Sequence, residues 1–257
     1  MKALITGASS GIGRDMARYL SQIGYDIVAV ARREDRLIEL KNELKTNVEI
    51  MCLDISKKED CMKLEDIASE IDIFINNAGF GVFGKFWEGS LSEELNLIET
   101  NVKGLHTLTK IFVKAFKEKN SGKILNVASL AAFFPGPLFS TYYASKAYVL
   151  RLSQGIMEEL KKEKSNVKIS VLCPGPVNTE FGDVAKVNFG DNDKGIRKMV
   201  ILNSDYVAKY AIDKMLKGKE VIVPGFIMKC AVFMRHLLPD KILSKIIYII
   251  QSKKFTK

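Results

Sequence analysis

Short apolar segments of strand length alternate with helical patterns along most of this chain. The segments are ALIT (3–6), DIVAV (26–30), VEIMCL (48–53), IDIFIN (71–76), GKILNVAS (122–129), VKISVLC (167–173) and EVIVP (220–224). Strands that are apolar on both faces and separated by helices are typical of a parallel sheet covered on both sides. We therefore predict an α/β fold: a doubly wound, seven-stranded parallel sheet with helices on both faces, in one domain of residues 1–225, followed by a helical C-terminal extension (226–257).

The composition limits the chemistry. Of the 257 residues, 47% are hydrophobic and 27% are charged, as in ordinary globular proteins. The two histidines lie far apart in sequence and the four cysteines form no C-x-x-C pair, so we expect reduced thiols and no metal site. The first residues read as a strand and not as a secretion leader, which favours a cytoplasmic protein.

A glycine-rich loop, TGASSGIG, follows the first predicted strand directly and leads into a helix. Gly7, Gly11 and Gly13 let the backbone approach an anion closely, and the start of the helix offers unpaired N–H groups and the positive end of its dipole. A tight turn that needs glycines only for its geometry is the alternative. In this position, the loop predicts binding of a dinucleotide pyrophosphate.

These residues and those downstream resemble a known family, the short-chain dehydrogenases/reductases, in their compact single-domain branch. The matching motifs are T-G-x-x-x-G-x-G at 6–13, N-N-A-G at 76–79, a serine at 129, Y-x-x-x-K at 142–146 and P-G-P-V-N-T at 174–179. The resemblance covers roughly residues 1–225. It implies a Rossmann-type domain that transfers a hydride between a nicotinamide cofactor and a carbonyl or secondary alcohol, and it implies a homodimer or homotetramer.

The end of the second strand bears on the choice of cofactor. A carboxylate there would bind the ribose hydroxyls of NAD, whereas an arginine pairs with the extra phosphate of NADP. The strand leads into Arg32 and Arg33, and Glu34 and Asp35 are expected to open the next helix. We therefore predict NADP(H) in preference to NAD(H), with a solvated basic turn as the alternative.

The resemblance extends the cofactor site along the sheet edge. Asp54 resembles the family's adenine-contacting aspartate, although an N-cap for the following helix explains it equally well. The loop at 77–79 is expected to line the far ribose, and the turn at 174–176 to close over the nicotinamide, whose amide Thr179 would contact. The predicted set is Gly7, Ser9, Ser10, Gly11, Ile12, Gly13, Arg32, Arg33, Asp54, Ile55, Asn77, Ala78, Gly79, Tyr142, Lys146, Pro174, Gly175, Val177 and Thr179.

Carbonyl reduction leaves negative charge on the oxygen, which must be protonated. A free tyrosine has a pKa of about 10, too high for efficient exchange near neutrality, and a nearby ammonium lowers that pKa. Tyr142 and Tyr143 both lie within about one helical turn of Lys146, so helix geometry does not choose between them. The family motif Y-x-x-x-K fits Tyr142, which the resemblance makes the acid or base, with Lys146 as its partner.

Two further residues complete the predicted catalytic set. Ser129 follows the fifth predicted strand, at the carboxyl end where doubly wound sheets bind ligands, so its hydroxyl can hold the substrate oxygen. Asn101 matches the helix asparagine with which the family positions a water that relays protons to the lysine. The set is therefore Ser129, Tyr142, Lys146 and Asn101. Packing or capping explains each of these residues taken singly.

The residues around the expected pocket say less about the substrate. The segment 177–203 has no clear periodicity, and the resemblance makes it the substrate lid. Several aromatic residues favour a small or medium apolar substrate (a ketone, an aldehyde, a 3-oxoacyl compound or a steroid-like molecule), although core packing explains some of them. They are Phe80, Phe83, Phe86, Trp87, Phe133 and Phe134.

The extension, residues 226–257, holds seven Lys/Arg against one acid, and it accounts for much of the net charge of +9. Its residues Ile242, Leu243, Ile246, Ile247 and Ile250 share one helical face, and charges interrupt every apolar run well before the ~20 residues of a membrane span. Three interpretations stay open. The extension packs on its own domain as part of the substrate pocket, pairs with another subunit, or lies on an anionic membrane surface.

The sequence thus predicts an NADP(H)-dependent oxidoreductase that acts on a small-molecule carbonyl or alcohol. A dinucleotide-sensing regulator on the same fold is the alternative, but such a protein does not need the complete catalytic set. Binding of nucleic acid through the basic extension is not expected, because the chain has no base-stacking or groove-reading motif.

Overall fold

The computed structural model describes residues 1–185, 201–235 and 237–253. Its strands are β1 (Lys2–Thr6), β2 (Asp26–Ala31), β3 (Val48–Cys52), β4 (Ile73–Asn76), β5 (Lys123–Val127), β6 (Lys168–Leu172), β7 (Val177–Asn178), β8 (Leu202–Asn203) and β9 (Val221–Ile222). Seven of them form one parallel sheet in the order β3-β2-β1-β4-β5-β6-β9. Each of the seven overlaps a predicted segment, so the predicted sheet is confirmed.

Helices connect the strands and cover both faces of the sheet. They are α1 (Gly11–Gln22), α2 (Glu34–Glu43), α3 (Lys58–Met62), α4 (Leu91–Ile98), α5 (Leu105–Glu118), α6 (Ser140–Lys162), α7 (Phe181–Val184), α8 (Ser204–Leu216), α9 (Phe226–Met234) and α10 (Asp240–Ser252). A π-helical turn (Glu99–Gly104) joins α4 to α5, and two short 3₁₀ turns lie at Ala68–Glu70 and Leu130–Phe133. The helix α2 begins at Glu34, as predicted.

Strand β1 shows how the sheet buries both of its faces. Leu4 packs into the core beneath α5 and α6, while its neighbour Ile5 packs into the core beneath α1 and α8. Strand β1 pairs with β2 on one side and β4 on the other. Because the winding reverses between β1 and β4, the connections at their carboxyl ends diverge and leave a crevice for a ligand.

A buried polar link holds α6 in place beneath the site. The Asn126 side chain on β5 donates from Nδ2 to Ser153 Oγ of α6 at 3.0 Å, and its Oδ1 accepts from Thr109 Oγ1 of α5 at 3.2 Å. Buried polar groups that are bonded on both sides fix one arrangement of the helices around them. The sheet, α5 and α6 are therefore positioned together.

A small parallel pair of strands ties together the two ends of the predicted lid (177–203). Strand β7 pairs with β8, with Val177 opposite Leu202 and Asn178 opposite Asn203. Two-residue strands leave no periodic pattern in the sequence, which explains why this pair was not predicted. Residues 186–200 of the predicted lid lie outside the described residues.

The extension packs on its own domain, and its helices were predicted correctly. The Met228 side chain of α9 lies against Gly175, where a Cβ would come 2.6 Å from the Met228 sulfur. In α10 the buried side chains are Leu243 and Gln251. Among the described residues, no helix has both the length and the apolar character needed to cross a membrane.

The residues predicted to share one face of α10 differ in their exposure. Leu243 is buried, but Ile242, Ile246 and Ile250 are exposed. The side of the helix that faces the domain carries residues spaced four apart: Leu243, Ile247 and Gln251. Residues at this spacing lie one above the other on a helix, so a single narrow line of contact fixes α10 and leaves its broader apolar face outside.

Candidate active site

The glycine loop forms a cradle that fits a pyrophosphate. Gly7 and Gly11 have φ angles of 68° and 53°, which L-residues rarely adopt. A Cβ on Gly13 would lie 2.4 Å from the Gly7 carbonyl oxygen. Within the described part of the chain, Ser10 makes no side-chain capping bond at the start of α1 and no acid lies in the first turn, so the N–H groups there suit an anion.

Thr6 and Asn77 brace this loop from below. Thr6 Oγ1 accepts hydrogen bonds from the backbone N–H groups of Asn77 and Ala78, at 3.0 and 3.2 Å. The Asn77 amide donates from Nδ2 to Thr6 O at 3.0 Å. The predicted ribose-lining residue Asn77 therefore also joins the carboxyl ends of β1 and β4, and the threonine before the first glycine was the sequence signal for this link.

Two arginines stand at the tip of β2, as the sequence indicates. Arg33 donates from Nη1 to Glu180 Oε2 at 2.9 Å and from Nη2 to Ser9 Oγ at 3.3 Å. Glu180, which sequence reasoning missed, has a lowered pKa because it accepts this hydrogen bond from Arg33. Arg32 is less engaged, since its Nη1 lies 4.0 Å from Asp54 Oδ2 and its side chain is 65% exposed.

Asp54 is not the N-cap of α3, so that alternative is wrong. Its Oδ1 accepts from the Ser56 N–H at 3.0 Å and from Ser56 Oγ at 2.8 Å, which closes a turn before the helix. The helix itself begins at Lys58, with Lys57 at the N-cap. Contact of Asp54 with an adenine stays a prediction, as does that of the neighbouring Ile55, which is buried.

The remaining predicted cofactor residues converge on the same edge of the sheet. A Cβ on Gly11 would meet Thr179 Cγ2 at 3.1 Å, so the segment after β7 lies against the glycine loop. Ile12 and Val177 pack their side chains against the core beneath this edge. The Pro174 carbonyl accepts from the Leu130 N–H at 2.8 Å, which holds the turn after β6 close to Ser129.

The structure places Tyr142, and not Tyr143, at Ser129. The Tyr142 hydroxyl lies beside the Ser129 side chain, which acts to lower the pKa of this phenol. Ser129 Oγ also accepts from the Ala131 N–H at 3.1 Å, so the start of the 3₁₀ turn fixes the position of the serine. The Tyr143 hydroxyl points elsewhere, accepting from Gln251 Nε2 at 2.7 Å.

Burial raises the pKa of Tyr142 well above its ordinary value, and the neighbouring Ser129 side chain offsets only part of this rise. The expectation that Lys146 lowers this pKa is therefore not met. The Lys146 Nζ lies 5.8 Å from the centre of the Tyr142 ring, so the ammonium is near the phenol, but the burial of the phenol dominates its pKa.

Lys146 is itself buried, and burial lowers its pKa to about 8. Its Nζ donates to the Val127 carbonyl oxygen at 2.9 Å. The adjacent Cys173 thiol, which sequence reasoning did not single out, has its pKa raised to about 12 by the same burial. With a pKa of about 8, the lysine keeps most of its charge near neutral pH.

Asn101 lies in the π-helical turn between α4 and α5, a feature that recurs at functional sites. Its Oδ1 accepts from the Phe80 N–H at 3.1 Å, and its Nδ2 donates to the Phe80 carbonyl at 2.8 Å and to Ser145 Oγ at 3.2 Å. The amide thus fixes the loop after β4 against α6. Gly79 completes the contact, since a Cβ there would lie 2.9 Å from Asn101 Oδ1 and 3.2 Å from Lys146 Nζ.

Five aromatic residues form an aromatic cluster around the Tyr142 ring: Phe83, Phe139, Tyr142 itself, Tyr143 and Phe181. The Phe139 ring stacks on Tyr142 with ring centroids 4.5 Å apart, and the Phe181 ring lies 5.3 Å from Tyr142. Phe83 meets Phe139 edge-on at 5.6 Å. The surroundings of the Tyr142 ring are therefore largely aromatic.

The aromatic residues named from the sequence divide into three groups. Phe80 and Phe83 pack at the aromatic cluster. Phe86 and Trp87 are exposed, whereas Phe133, which packs against the core beneath α5 and α6, and Phe134 are half-buried. Sequence reasoning missed Phe139 and Phe181, because nothing in the local pattern shows that the start of α6 and the segment of α7 meet.

The doubly wound sheet, the pyrophosphate cradle at its crevice and the tyrosine beside it define a nicotinamide-dependent oxidoreductase. The family model for the short chain dehydrogenases matches residues 1–187, and the chain belongs to this family. It is thus a dehydrogenase that acts on CH–OH donors with a nicotinamide cofactor as acceptor, and it binds a small-molecule substrate.

Relatives differ in their cofactors. The chain is 33% identical, over 216 residues, to an NADP-dependent 3-hydroxy acid dehydrogenase of Escherichia coli, an alignment that covers 81% of this chain and 86% of the relative. A short-chain dehydrogenase from Sphingobium yanoikuyae in complex with NADPH has a TM-score of 0.79 and 28% identity, covering 91% of this chain and 93% of that one. A short-chain dehydrogenase/reductase from Burkholderia phymatum in complex with NAD has a TM-score of 0.82 and 25% identity, covering 92% of both chains.

Proposed function

We propose that this protein is an NADP(H)-dependent oxidoreductase that interconverts the carbonyl and secondary alcohol of a small or medium apolar substrate. The observation that carries the proposal is the position of the Tyr142 hydroxyl, beside Ser129, within the aromatic cluster and at the carboxyl edge of the sheet. A ketone or aldehyde with an apolar body fits this aromatic cluster, and 3-oxoacyl and steroid-like compounds belong to the same class.

When bound, the reduced nicotinamide supplies the hydride to the carbonyl carbon. Ser129 donates a hydrogen bond to the carbonyl oxygen and holds it beside Tyr142. Tyr142 then transfers its phenolic proton to this oxygen as negative charge develops there. Burial keeps Tyr142 protonated until that moment, because it raises the pKa of the phenol, and a protonated phenol is the form that reduction needs.

Loss of the proton leaves a phenolate on Tyr142. The Lys146 ammonium, close to the ring, stabilises this phenolate, and it also suits the cofactor ribose. Asn101 holds the loop after β4 against α6, the helix that carries Lys146, and we propose that it orients a water that returns a proton toward the lysine. In the oxidative direction the same groups act in reverse, with Tyr142 as the base.

The preference for NADP(H) is proposed from the arginines at the tip of β2. Arg32 is exposed and only weakly paired, so its guanidinium is available for a phosphate. A charge-assisted hydrogen bond contributes about 1.5–3 kcal/mol, equivalent to about 10- to 150-fold in affinity. Arg32→Ala is therefore expected to raise KM for NADPH by that factor and KM for NADH by less than about twofold.

Steady-state kinetics with both cofactors checks this expectation. Arg151→Ala is the matched control, because Arg151 lies exposed on α6 and bonds only Gln154 of its own helix among the described residues. Equal changes in KM for NADPH and NADH would show that Arg32 does not bind the phosphate.

The proposed function is tested by oxidation of NADPH against NADH over a panel of aldehydes, ketosteroids, 3-oxoacyl thioesters and diketones. We expect turnover of apolar ketones with a clear preference for NADPH. Tight binding of NADPH without turnover of any compound would instead support a dinucleotide-sensing regulator.

We also propose a cytoplasmic homo-oligomer. The four cysteines are free thiols, and the exposed isoleucines of α10 offer an apolar surface to a second copy. Light scattering of the full chain at micromolar concentration is expected to give a dimer or tetramer. A monomer that binds anionic vesicles in a salt-dependent manner would favour the membrane interpretation instead.

A further inference from the structure

The last turn of α10 carries a buried amide that is only half satisfied. Gln251 is 3% exposed, and its Nε2 donates to the Tyr143 hydroxyl at 2.7 Å. Its Oε1 is buried and has no hydrogen-bond partner among the described residues. Buried side-chain oxygens are rarely left unpaired in folded proteins, so this atom calls for a partner.

The Tyr143 hydroxyl beside it has a complementary capacity. Because it accepts from Gln251, it keeps its own O–H available for donation. The ring that carries it is well fixed, since a Cβ on Gly136 would lie 2.0 Å from the Tyr143 ring. The two residues therefore present an acceptor and a donor side by side, a pair that one hydroxyl group satisfies completely.

This pair adjoins the reaction centre. The Tyr143 ring lies 6.2 Å from the Tyr142 ring and 6.1 Å from the Phe139 ring, within the aromatic cluster. Binding pockets for small molecules are mostly apolar, with a few placed polar groups that set the orientation of the ligand. Gln251 and Tyr143 supply one such polar point in an otherwise aromatic wall.

We propose that Gln251 and Tyr143 form a polar subsite for a second oxygen of the substrate, a hydroxyl that donates to Gln251 Oε1 and accepts from the Tyr143 hydroxyl. The inference rests on the proposed function and narrows its substrate class to apolar ketones that also carry a hydroxyl, and the corresponding diols. It also gives the extension a direct part in substrate choice, because α10 brings Gln251 to the pocket.

The test compares ketones in pairs. Cyclohexanone and a decalone are each measured with and without a hydroxyl on the carbon farthest from the carbonyl, in the presence of NADPH. In Gln251→Leu, which keeps the volume and removes the amide, kcat/KM for the hydroxyketones is expected to fall about 10- to 100-fold, as for one or two lost hydrogen bonds. For the unsubstituted ketones it changes by less than about twofold.

Two further variants sharpen the comparison. Tyr143→Phe keeps the ring and removes only the hydroxyl, so it is expected to show the same selective loss. Ser244→Ala, on the same helix, removes a hydroxyl that donates to the Asp240 carbonyl of α10 itself. This variant is expected to leave kcat/KM unchanged for both members of each pair. An equal loss of kcat/KM for both members of each pair in Gln251→Leu would show that the amide is only a structural or water-bound group, and it would overturn the proposal.

A binding measurement separates this inference from the proposed function. If the wild-type protein reduces no ketone with either cofactor, the proposed function fails. The subsite is then tested by calorimetric titration of the hydroxydecalone into the wild-type protein and into Gln251→Leu. We expect the variant to bind this compound about tenfold more weakly. Equal binding, or no binding to the wild-type protein, overturns the subsite.

Discussion

Tyr142→Phe is expected to lower kcat for carbonyl reduction on the order of 10³-fold and to leave KM for NADPH within about threefold. Removing a positioned general acid typically costs 10²- to 10⁴-fold in rate. The ring of Tyr142 contacts Phe139 and Phe181, and phenylalanine preserves this packing, so the loss isolates the contribution of the hydroxyl beside Ser129. Single-turnover rates with NADPH and a panel ketone give the measurement.

Tyr143→Phe is the matched control for this prediction. The two tyrosines are adjacent and both are largely buried, but the Tyr143 hydroxyl bonds Gln251 and not Ser129. On ketones without a second hydroxyl, Tyr143→Phe is expected to keep kcat within about twofold of the wild-type value. Retention of activity in Tyr142→Phe, or loss in Tyr143→Phe on these ketones, would contradict the assignment of the acid.

Gly13→Ala is expected to weaken NADPH binding on the order of 100-fold. A Cβ at this position would lie 2.4 Å from both the Gly7 carbonyl oxygen and Asn77 Nδ2. One neighbour is backbone, so the loop must shift, and forcing extra volume into a packed site costs about 1–3 kcal/mol, here at the N–H groups meant for the pyrophosphate. Fluorescence titration with NADPH measures the loss.

Gly155→Ala is the matched control, because it makes the same chemical change at a position where the added methyl group has room. Gly155 lies inside α6, and an added Cβ there would meet no atom of the described structure within 4 Å. Alanine in a helix interior is more stable than glycine by about 0.5–1 kcal/mol, so a small rise in Tm and unchanged NADPH affinity are expected. Normal binding of NADPH by Gly13→Ala would show that the cradle does not hold the pyrophosphate.

The sheet was predictable because most of its strands are apolar on both faces and helical patterns separate the apolar segments. The glycine loop was predictable for a related reason, since its glycines, the strand before them and the helix after them are local features. The choice between Tyr142 and Tyr143 was not local. Helix geometry allowed both, and only the position of Ser129, brought in from another strand, separates them in the structure.

Other features escaped prediction because they depend on packing between distant segments. Phe181 meets Phe139, and Arg33 meets Glu180, although well over 100 residues separate the members of the second pair. The amphipathic pattern of α10 left open which of its residues contact the domain, and the buried ones are Leu243 and a glutamine, Gln251. A hydrophobicity pattern ranks residues by apolar character and so overlooks a polar residue that docks.

The raised pKa of Tyr142 could not be inferred from sequence either. Spacing shows that a lysine lies near the tyrosine, but it does not show how deeply both are buried. In the folded protein, desolvation dominates both groups, raising the pKa of the phenol and lowering that of the ammonium to about 8. Burial depends on Phe139, Phe181 and the turns that close over them.

Met228 contacts Gly175 and Gln251 contacts Tyr143, so the proposed subsite would place part of the pocket wall in a segment that follows the last strand of the sheet. Substitutions there would then alter which molecules are accepted while the residues proposed to move the proton stay unchanged. Proteins that descend from such an ancestor can therefore diverge in substrate specificity while they keep the same reaction chemistry. For an engineer, grafting this segment between family members is a direct way to transfer selectivity.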